Sequence, residues 1–161
     1  MLVFVLLVGL FALLHLPPLS RLAFLRSRKD KASVAMALMF MFTGTDHFLH
    51  SQRYVAMMPP YLPWPLELVY LSGFFELLGA VGLLIRWVRR WAGYGLALLL
   101  LVVFQANVYV AVKGLAVEGL PSSAWYYWVR LPFQFIFIGW ALWCSRPELI
   151  GSKIVSGGSH A

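Results

Sequence analysis

Five long apolar stretches divide this chain, and the segments between them are rich in charge, proline or glycine. The last four stretches are each about 20 residues long, which is the length that an α-helix needs to cross a bilayer. Inside a bilayer every backbone polar group must be paired within the protein, so these stretches are predicted to be helices. They comprise residues 2–16, 33–50, 66–85, 91–112 and 125–143.

The composition supports a membrane protein over a soluble domain. The chain has 161 residues, of which 61% are hydrophobic and 12% are charged, whereas soluble domains are about 25% charged. The net charge of +7 is not arranged as the solvated basic stripe that nucleic acids require, so no nucleic-acid partner is predicted. The single cysteine, Cys144, excludes an internal disulfide and a CxxC redox pair.

The basic residues are distributed unequally between the two sides of the predicted bundle. One side carries only Arg53 and Lys113, and Arg130 lies within the last stretch. The positive-inside rule therefore predicts a multi-pass protein of a bacterial inner membrane with its N-terminus outside and its C-terminus cytoplasmic. The ten basic residues of the predicted cytoplasmic side are Arg21, Arg26, Arg28, Lys29, Lys31, Arg86, Arg89, Arg90, Arg146 and Lys153.

Three regions follow from this pattern. We predict an apolar N-terminal helix with a basic loop over 1–32, a four-helix membrane core over 33–145 and a flexible cytoplasmic tail over 146–161. The first stretch lacks the preceding basic residues of a cleavable signal, so it is predicted to be retained, and whether it spans is open. The proline-rich segment 51–65 fits either a flap over the outer end of the bundle or a plain interfacial connector.

Glu76 lies near the middle of an apolar stretch. An ionisable group at the centre of a bilayer costs roughly 3 kcal/mol or more, so it is expected to face the protein interior with a partner. Arg130 is the predicted partner, because its long side chain can reach a carboxylate deeper in the membrane. Glu76 in a protonated, neutral form is the alternative. The pair is interpreted either as part of a functional pocket or as a contact that only fixes the register of the helices.

The other polar residues of the core converge on its outer half when each is placed by depth along its helix. Four helices each contribute one or two such residues, whereas the inner half is almost wholly apolar. This arrangement predicts an outward-open polar pocket built from Asp46, His47, Glu76, Asn107, Arg130 and Gln134.

Asp46, His47 and His50 also raise the question of a metal. Their side chains fall within one helical turn and do not all converge, and no second His or Cys cluster exists, so no metal is predicted. Hydrogen bonding at the helix end, or a proton or ligand contact by His47, is the favoured interpretation. No arrangement of a nucleophile and a base is evident, so the catalytic residues, if any, stay unknown.

Several stretches together resemble the DoxX-like family of small bacterial membrane proteins. They are FTGTDHF (42–48), MMPPYLPWP (57–65), LVYLSGFFELLGAVGLL (68–84), FQANVYVAV (104–112) and RLPFQ (130–134). The resemblance implies a four-helix membrane bundle, to which the N-terminal helix is an addition. It also implies that the site consists of His47, Pro59, Pro60, Glu76, Asn107 and Arg130.

The resemblance implies no single activity, because relatives include a subunit of an archaeal thiosulfate:quinone oxidoreductase and proteins linked to oxidative stress or to the maturation of partner proteins. Our first hypothesis is a redox-associated membrane subunit whose pocket binds a quinone-like lipophilic molecule or a lipid. The alternative is a non-catalytic assembly or stability partner of another membrane protein or redox complex, with a homo-oligomer possible. A transporter is a weaker third hypothesis, because the inner half offers no polar route.

Overall fold

A computed structural model describes residues 2–17, 19, 24–25, 27–115, 117, 121 and 123–146. Within these residues the protein is entirely helical, with six helices and no strand. The helices are α1 (Leu2–Leu13), α2 (Arg28–Leu49), α3 (Ser51–Val55), α4 (Pro65–Leu84), α5 (Arg89–Lys113) and α6 (Ala124–Ser145).

Three of the helices, α2, α4 and α5, are long and apolar enough to span a membrane. Five spans were predicted. Helix α6 is as long as α2, with 22 residues, but it is not one of these three; it contains Arg130, Gln134 and several tyrosine and tryptophan residues. Helix α1 is apolar but has only 12 residues, or about 18 Å, against a hydrocarbon core of about 30 Å. The three apolar spans indicate a membrane protein.

The four long helices contact one another in the cyclic order α2, α4, α5, α6, and α1 packs beside α2. Neighbouring helices of this ring run antiparallel, so one terminus of every helix lies at each end of the ring. We call these ends the Ser27 end, where α2 begins, and the His50 end, where α2 stops. Large apolar side chains from different helices, such as Met36, Leu83 and Leu96, form the core toward the Ser27 end.

A cluster of charges joins the helices at the Ser27 end. Asp30 is almost fully buried and accepts hydrogen bonds from Arg86 Nη2 at 2.7 Å and from Arg89 Nη1 at 2.8 Å. Arg89 Nε also donates to the carbonyl of Leu83 at 2.9 Å. The start of α2 is thereby fixed to the turn between α4 and α5.

The same carboxylate explains why α2 begins earlier than predicted. Ser27 Oγ accepts from the backbone N–H of Asp30, and Asp30 accepts in return from the N–H of Ser27. This reciprocal pair is a capping box, which satisfies N–H groups that a helix start leaves unpaired. Helix α2 therefore starts at Arg28, where the sequence pattern predicted residue 33, and the predicted boundary between 32 and 33 falls inside it.

The connector 51–64 lies over the His50 end. It forms the short helix α3 and then a stretch of turns that ends at Pro65, the first residue of α4. Met57 packs in a buried cluster with Val110 and Tyr127, which belong to α5 and α6. The connector therefore bridges the α2–α4 side of the ring to the α5–α6 side.

Several predicted features fall on residues that the structure does not describe. The tail from 147 onward, Arg21, Arg26 and Lys153, and residues 116, 118–120 and 122 between α5 and α6 lie outside the described residues.

Removal of Arg89 should destabilise the protein more than removal of Arg86. The Arg89 side chain is 14% exposed and the Arg86 side chain 64% exposed. Arg89→Gln should lower the free energy of unfolding by about 1.5–3 kcal/mol, the range for hydrogen bonds to a charged group. Arg86→Gln should cost less than about 1 kcal/mol, as for exposed ion pairs. Unfolding midpoints in a mild detergent measure both, and equal losses would contradict this description of the cluster.

Candidate functional site

Helices α2 and α4 approach each other closely at two glycines. A Cβ added to Gly73 would lie 2.7 Å from His47 Cβ and 3.0 Å from the carbonyl oxygen of Gly44. Glycine is therefore required there, since no larger residue fits between the two backbones. The close approach brings the α2 residues on either side of Gly44 against the polar face of α4.

Glu76 and His47 meet at this contact. Glu76 is 6% exposed and His47 is 7% exposed. Glu76 Oε2 accepts a hydrogen bond from Thr43 Oγ1 at 2.7 Å. Glu76 Oε1 lies 3.7 Å from His47 Nε2, which is beyond a direct hydrogen bond. An ionised Glu76 beside a protonated His47, or a neutral acid beside a neutral imidazole, gives the pair no net charge.

The other ring nitrogen of His47 is held by α4. Nδ1 lies 3.1 Å from the carbonyl oxygen of Val69. A carbonyl oxygen can only accept, so Nδ1 carries a hydrogen and donates it. Ser72 Oγ lies 3.0 Å from the same nitrogen and itself donates to Val69. Because Nδ1 donates its hydrogen to the Val69 carbonyl of α4, only Nε2 can exchange a proton with Glu76 or a ligand.

Tyr54 of the connector closes this site toward the His50 end. Its ring stacks on the imidazole of His47, with 3.9 Å between the centroids, and its hydroxyl donates to Asp46 Oδ2 at 2.7 Å. Burial raises the pKa of Tyr54 above its usual value, and the hydrogen bond to Asp46 raises it further. Tyr54 therefore stays a hydrogen-bond donor, and Asp46 is also paired with the exposed His50 and with Arg53.

A second polar group lies on α5 and α6. Asn107 Nδ2 donates to Gln134 Oε1 at 2.8 Å, and Gln134 Nε2 donates to the carbonyl of Leu100 at 2.8 Å. Arg130 lies one turn before Gln134 on the same face of α6. Its guanidinium carbon is 5.8 Å from the centre of the Tyr126 ring.

Both polar groups line one cavity of about 1150 Å³. Asp46, His47 and Glu76 stand on its α2–α4 wall, and Asn107, Arg130 and Gln134 stand on its α5–α6 wall. The wall toward the Ser27 end is apolar and includes Gly79, Ile85, Val88, Trp91 and Leu96. The cavity is thus polar in one half and apolar in the other.

The predicted ion pair between Glu76 and Arg130 is not formed. Glu76 faces Thr43 and His47, because α4 packs against α2 and α5. Arg130 instead lies over the ring of Tyr126 on its own helix.

Two further predicted site residues, Pro59 and Pro60, lie in the connector and are not among the residues that line the cavity. Pro59 is fully buried and Pro60 is exposed. Among the described residues, no group of three or more His, Cys, Asp and Glu side chains could hold a metal ion.

Thr43, Ser72 and Tyr54 belong to the site but were not predicted as site residues. The sequence could have indicated Thr43 and Ser72. Thr43 lies four residues before His47, and Ser72 lies four residues before Glu76, so each pair shares one face of its helix. Tyr54 gave no such signal, because an aromatic residue in a proline-rich connector is also typical of the membrane interface.

Comparison with known proteins finds one match for this chain. A family model described as a domain of unknown function (DUF8561) matches residues 36–145. That range includes every residue of the two polar groups. No curated protein and no solved structure matches.

The predicted membership of the DoxX-like family is wrong, because the matching family is a different one. The motifs that suggested it are glycines, aromatic residues and single polar groups in apolar helices, a combination that close helix packing favours in many membrane proteins. That resemblance therefore no longer supports the residue roles or the quinone-linked activity that it implied. Only the geometry of the site supports a role for these residues.

Gly73→Ala should disturb the site and destabilise the protein. The added methyl group would press on His47 Cβ, and overpacking of this kind costs about 1–3 kcal/mol. Gly139→Ala in α6 is the matched control, because nothing lies within 4 Å of a Cβ there. The control should be neutral or stabilising by up to about 1 kcal/mol, since alanine favours helices over glycine. Unfolding midpoints that fall equally in both variants would contradict the close contact.

Proposed function

The chain belongs to the DUF8561 family, and we propose that it is a membrane protein that binds a small lipophilic molecule with a polar head group. The head group would lie between the two polar walls of the cavity, near Glu76 and His47. The chain of the ligand would lie along the apolar half.

One observation carries this proposal: a buried acid and a buried imidazole line a large, mostly apolar cavity without bonding directly to each other. Ligand sites typically measure about 300–1000 Å³ and combine apolar walls with a few placed polar groups, and the cavity measures about 1150 Å³. Glu76 Oε1 has no hydrogen-bond donor among the described residues. A ligand hydroxyl or amine would supply that donor, and a ligand oxygen would instead accept the hydrogen of a protonated Glu76.

The chemistry available to these two residues is proton exchange. The Val69 carbonyl fixes the hydrogen of His47 on Nδ1, so Nε2 and Glu76 Oε1 share access to one proton 3.7 Å apart. A ligand group placed between them could relay that proton from one residue to the other at little cost, because the pair holds no net charge before or after the transfer. Their role is thus to recognise a head group that can exchange a hydrogen with the pair.

An assembly role for another membrane protein is the alternative. It predicted no cavity between the helices. The cavity beside Glu76 favours ligand binding over this alternative.

The test is the recovery of co-purified lipophilic molecules by mass spectrometry. Protein purified in a nonionic detergent should retain one species at near-stoichiometric amount. Glu76→Gln should retain at least tenfold less, since a hydrogen bond to a charged group contributes about 1.5–3 kcal/mol. Glu67→Gln is the matched control, because Glu67 is an exposed glutamate of the same helix. Equal retention by Glu76→Gln and the control would sink the proposal.

We also propose that α2, α4, α5 and α6 cross a bacterial inner membrane, with the His50 end outside. Basic residues at the Ser27 end support this orientation, and they include Lys29, Lys31, Arg86, Arg89 and Arg90.

Reporter fusions to the C-terminus test this orientation. Green fluorescent protein fused there should fluoresce, because it matures in the cytoplasm, whereas alkaline phosphatase fused at the same point should be inactive. An active phosphatase fusion would place the Ser27 end outside and contradict the assignment.

A further inference from the structure

We propose that Arg130 is an anion site and that the occupant of the cavity is a single-chain fatty acid bound through its carboxylate. This inference rests on the proposed function, because it names the chemical class of the lipophilic ligand. It goes further in assigning the head group to the α5–α6 wall and in giving it a negative charge.

The charges that line the cavity leave Arg130 in excess. Asp46 is paired with Arg53, whose Nη1 lies 3.5 Å from Asp46 Oδ2. Glu76 and His47 add no net charge when both are neutral or both are charged, and we take the pair in one of these two states. No carboxylate of the described residues lies within 4 Å of Arg130, which contacts the face of an aromatic ring instead. The cavity is therefore complementary to a ligand with one negative charge.

The position of Arg130 makes such a ligand favourable. Arg130 is half-buried on the cavity wall, where a cation without an anion is costly in an apolar setting. The guanidinium group offers two parallel N–H donors, which match the two oxygens of a carboxylate. A bound carboxylate would thus offset the cost of placing Arg130 in the wall.

Side-chain amides next to Arg130 add further donors. Asn107 uses one N–H on Gln134, and Gln134 uses one N–H on the Leu100 carbonyl. Each amide group has a second N–H. These two residues hold each other in place, so they can contribute a hydrogen bond to a carboxylate without reorganising.

The apolar half of the cavity fits a hydrocarbon chain. Along α4 the wall extends from Glu76 to Ile85, or about 14 Å. That length is close to half of the ~30 Å hydrocarbon core, the depth that one leaflet's acyl chain fills. A chain anchored by its carboxylate in the polar half would therefore be covered over most of its length.

Binding of palmitate and 1-hexadecanol to the full chain in a nonionic detergent tests the inference, because the two have equal chains and different head groups. Native mass spectrometry resolves each bound species by mass. The wild-type protein should bind one palmitate at least tenfold more tightly than hexadecanol. Arg130→Gln should remove this preference, and Arg130→Lys should restore part of it. Arg90→Gln, an exposed arginine outside the cavity wall, should leave the preference unchanged.

Each other outcome has a defined meaning. Equal binding of palmitate and hexadecanol by the wild type would overturn the anion site but leave the lipophilic pocket standing. Binding of neither would overturn both proposals. Displacement of palmitate by stoichiometric phosphatidylglycerol, with the same dependence on Arg130, would overturn the fatty-acid assignment in favour of a phospholipid. If Arg130→Gln fails to fold, the Arg130→Lys variant serves as the test. A preference for palmitate as strong in Arg130→Lys as in the wild type would contradict binding through the two parallel N–H donors of the guanidinium group.

Discussion

The contact between α2 and α4 at Gly44 and Gly73 is the constraint on which the site depends. It places two backbones so close that no side chain fits between them. The polar residues beside these glycines must then face each other, so Thr43 and His47 of α2 reach Glu76 of α4. A wider spacing would break the hydrogen bond from Thr43 and leave a buried carboxyl group without a partner, which is costly in an apolar setting.

The two ends of the helix ring are held by different means. At the Ser27 end, buried Asp30 binds two arginines and caps α2, so the helices are joined by charge. At the His50 end, the connector packs Met57 between helices and Tyr54 on His47. The cavity lies between these ends. Its polar half adjoins the connector, and its apolar half adjoins the charge cluster, so an amphiphile would have a defined orientation within it.

The sequence was a good guide to the long helices but a poor guide to the partners of the polar groups. Bilayer thickness sets the length of an apolar run, so α4 and α5 begin and end within two residues of the predicted stretches. The depth of a residue along its helix can likewise be predicted from the sequence, and Glu76, Asn107 and Gln134 do line one cavity. The direction in which a side chain points around its helix axis cannot be predicted from the sequence when the helix is apolar on all sides. This is why Arg130 was wrongly predicted to pair with Glu76.

We infer that an amphiphile lies inside the ring of helices rather than on its lipid-facing surface. Photo-crosslinking with a fatty acid that carries a diazirine in mid-chain tests it most directly, with labelled residues located by mass spectrometry. We expect labels on cavity residues such as Leu96 and Leu99, well above those on Leu84 and Leu101, which are exposed and do not line the cavity. Equal labelling of both groups would contradict it.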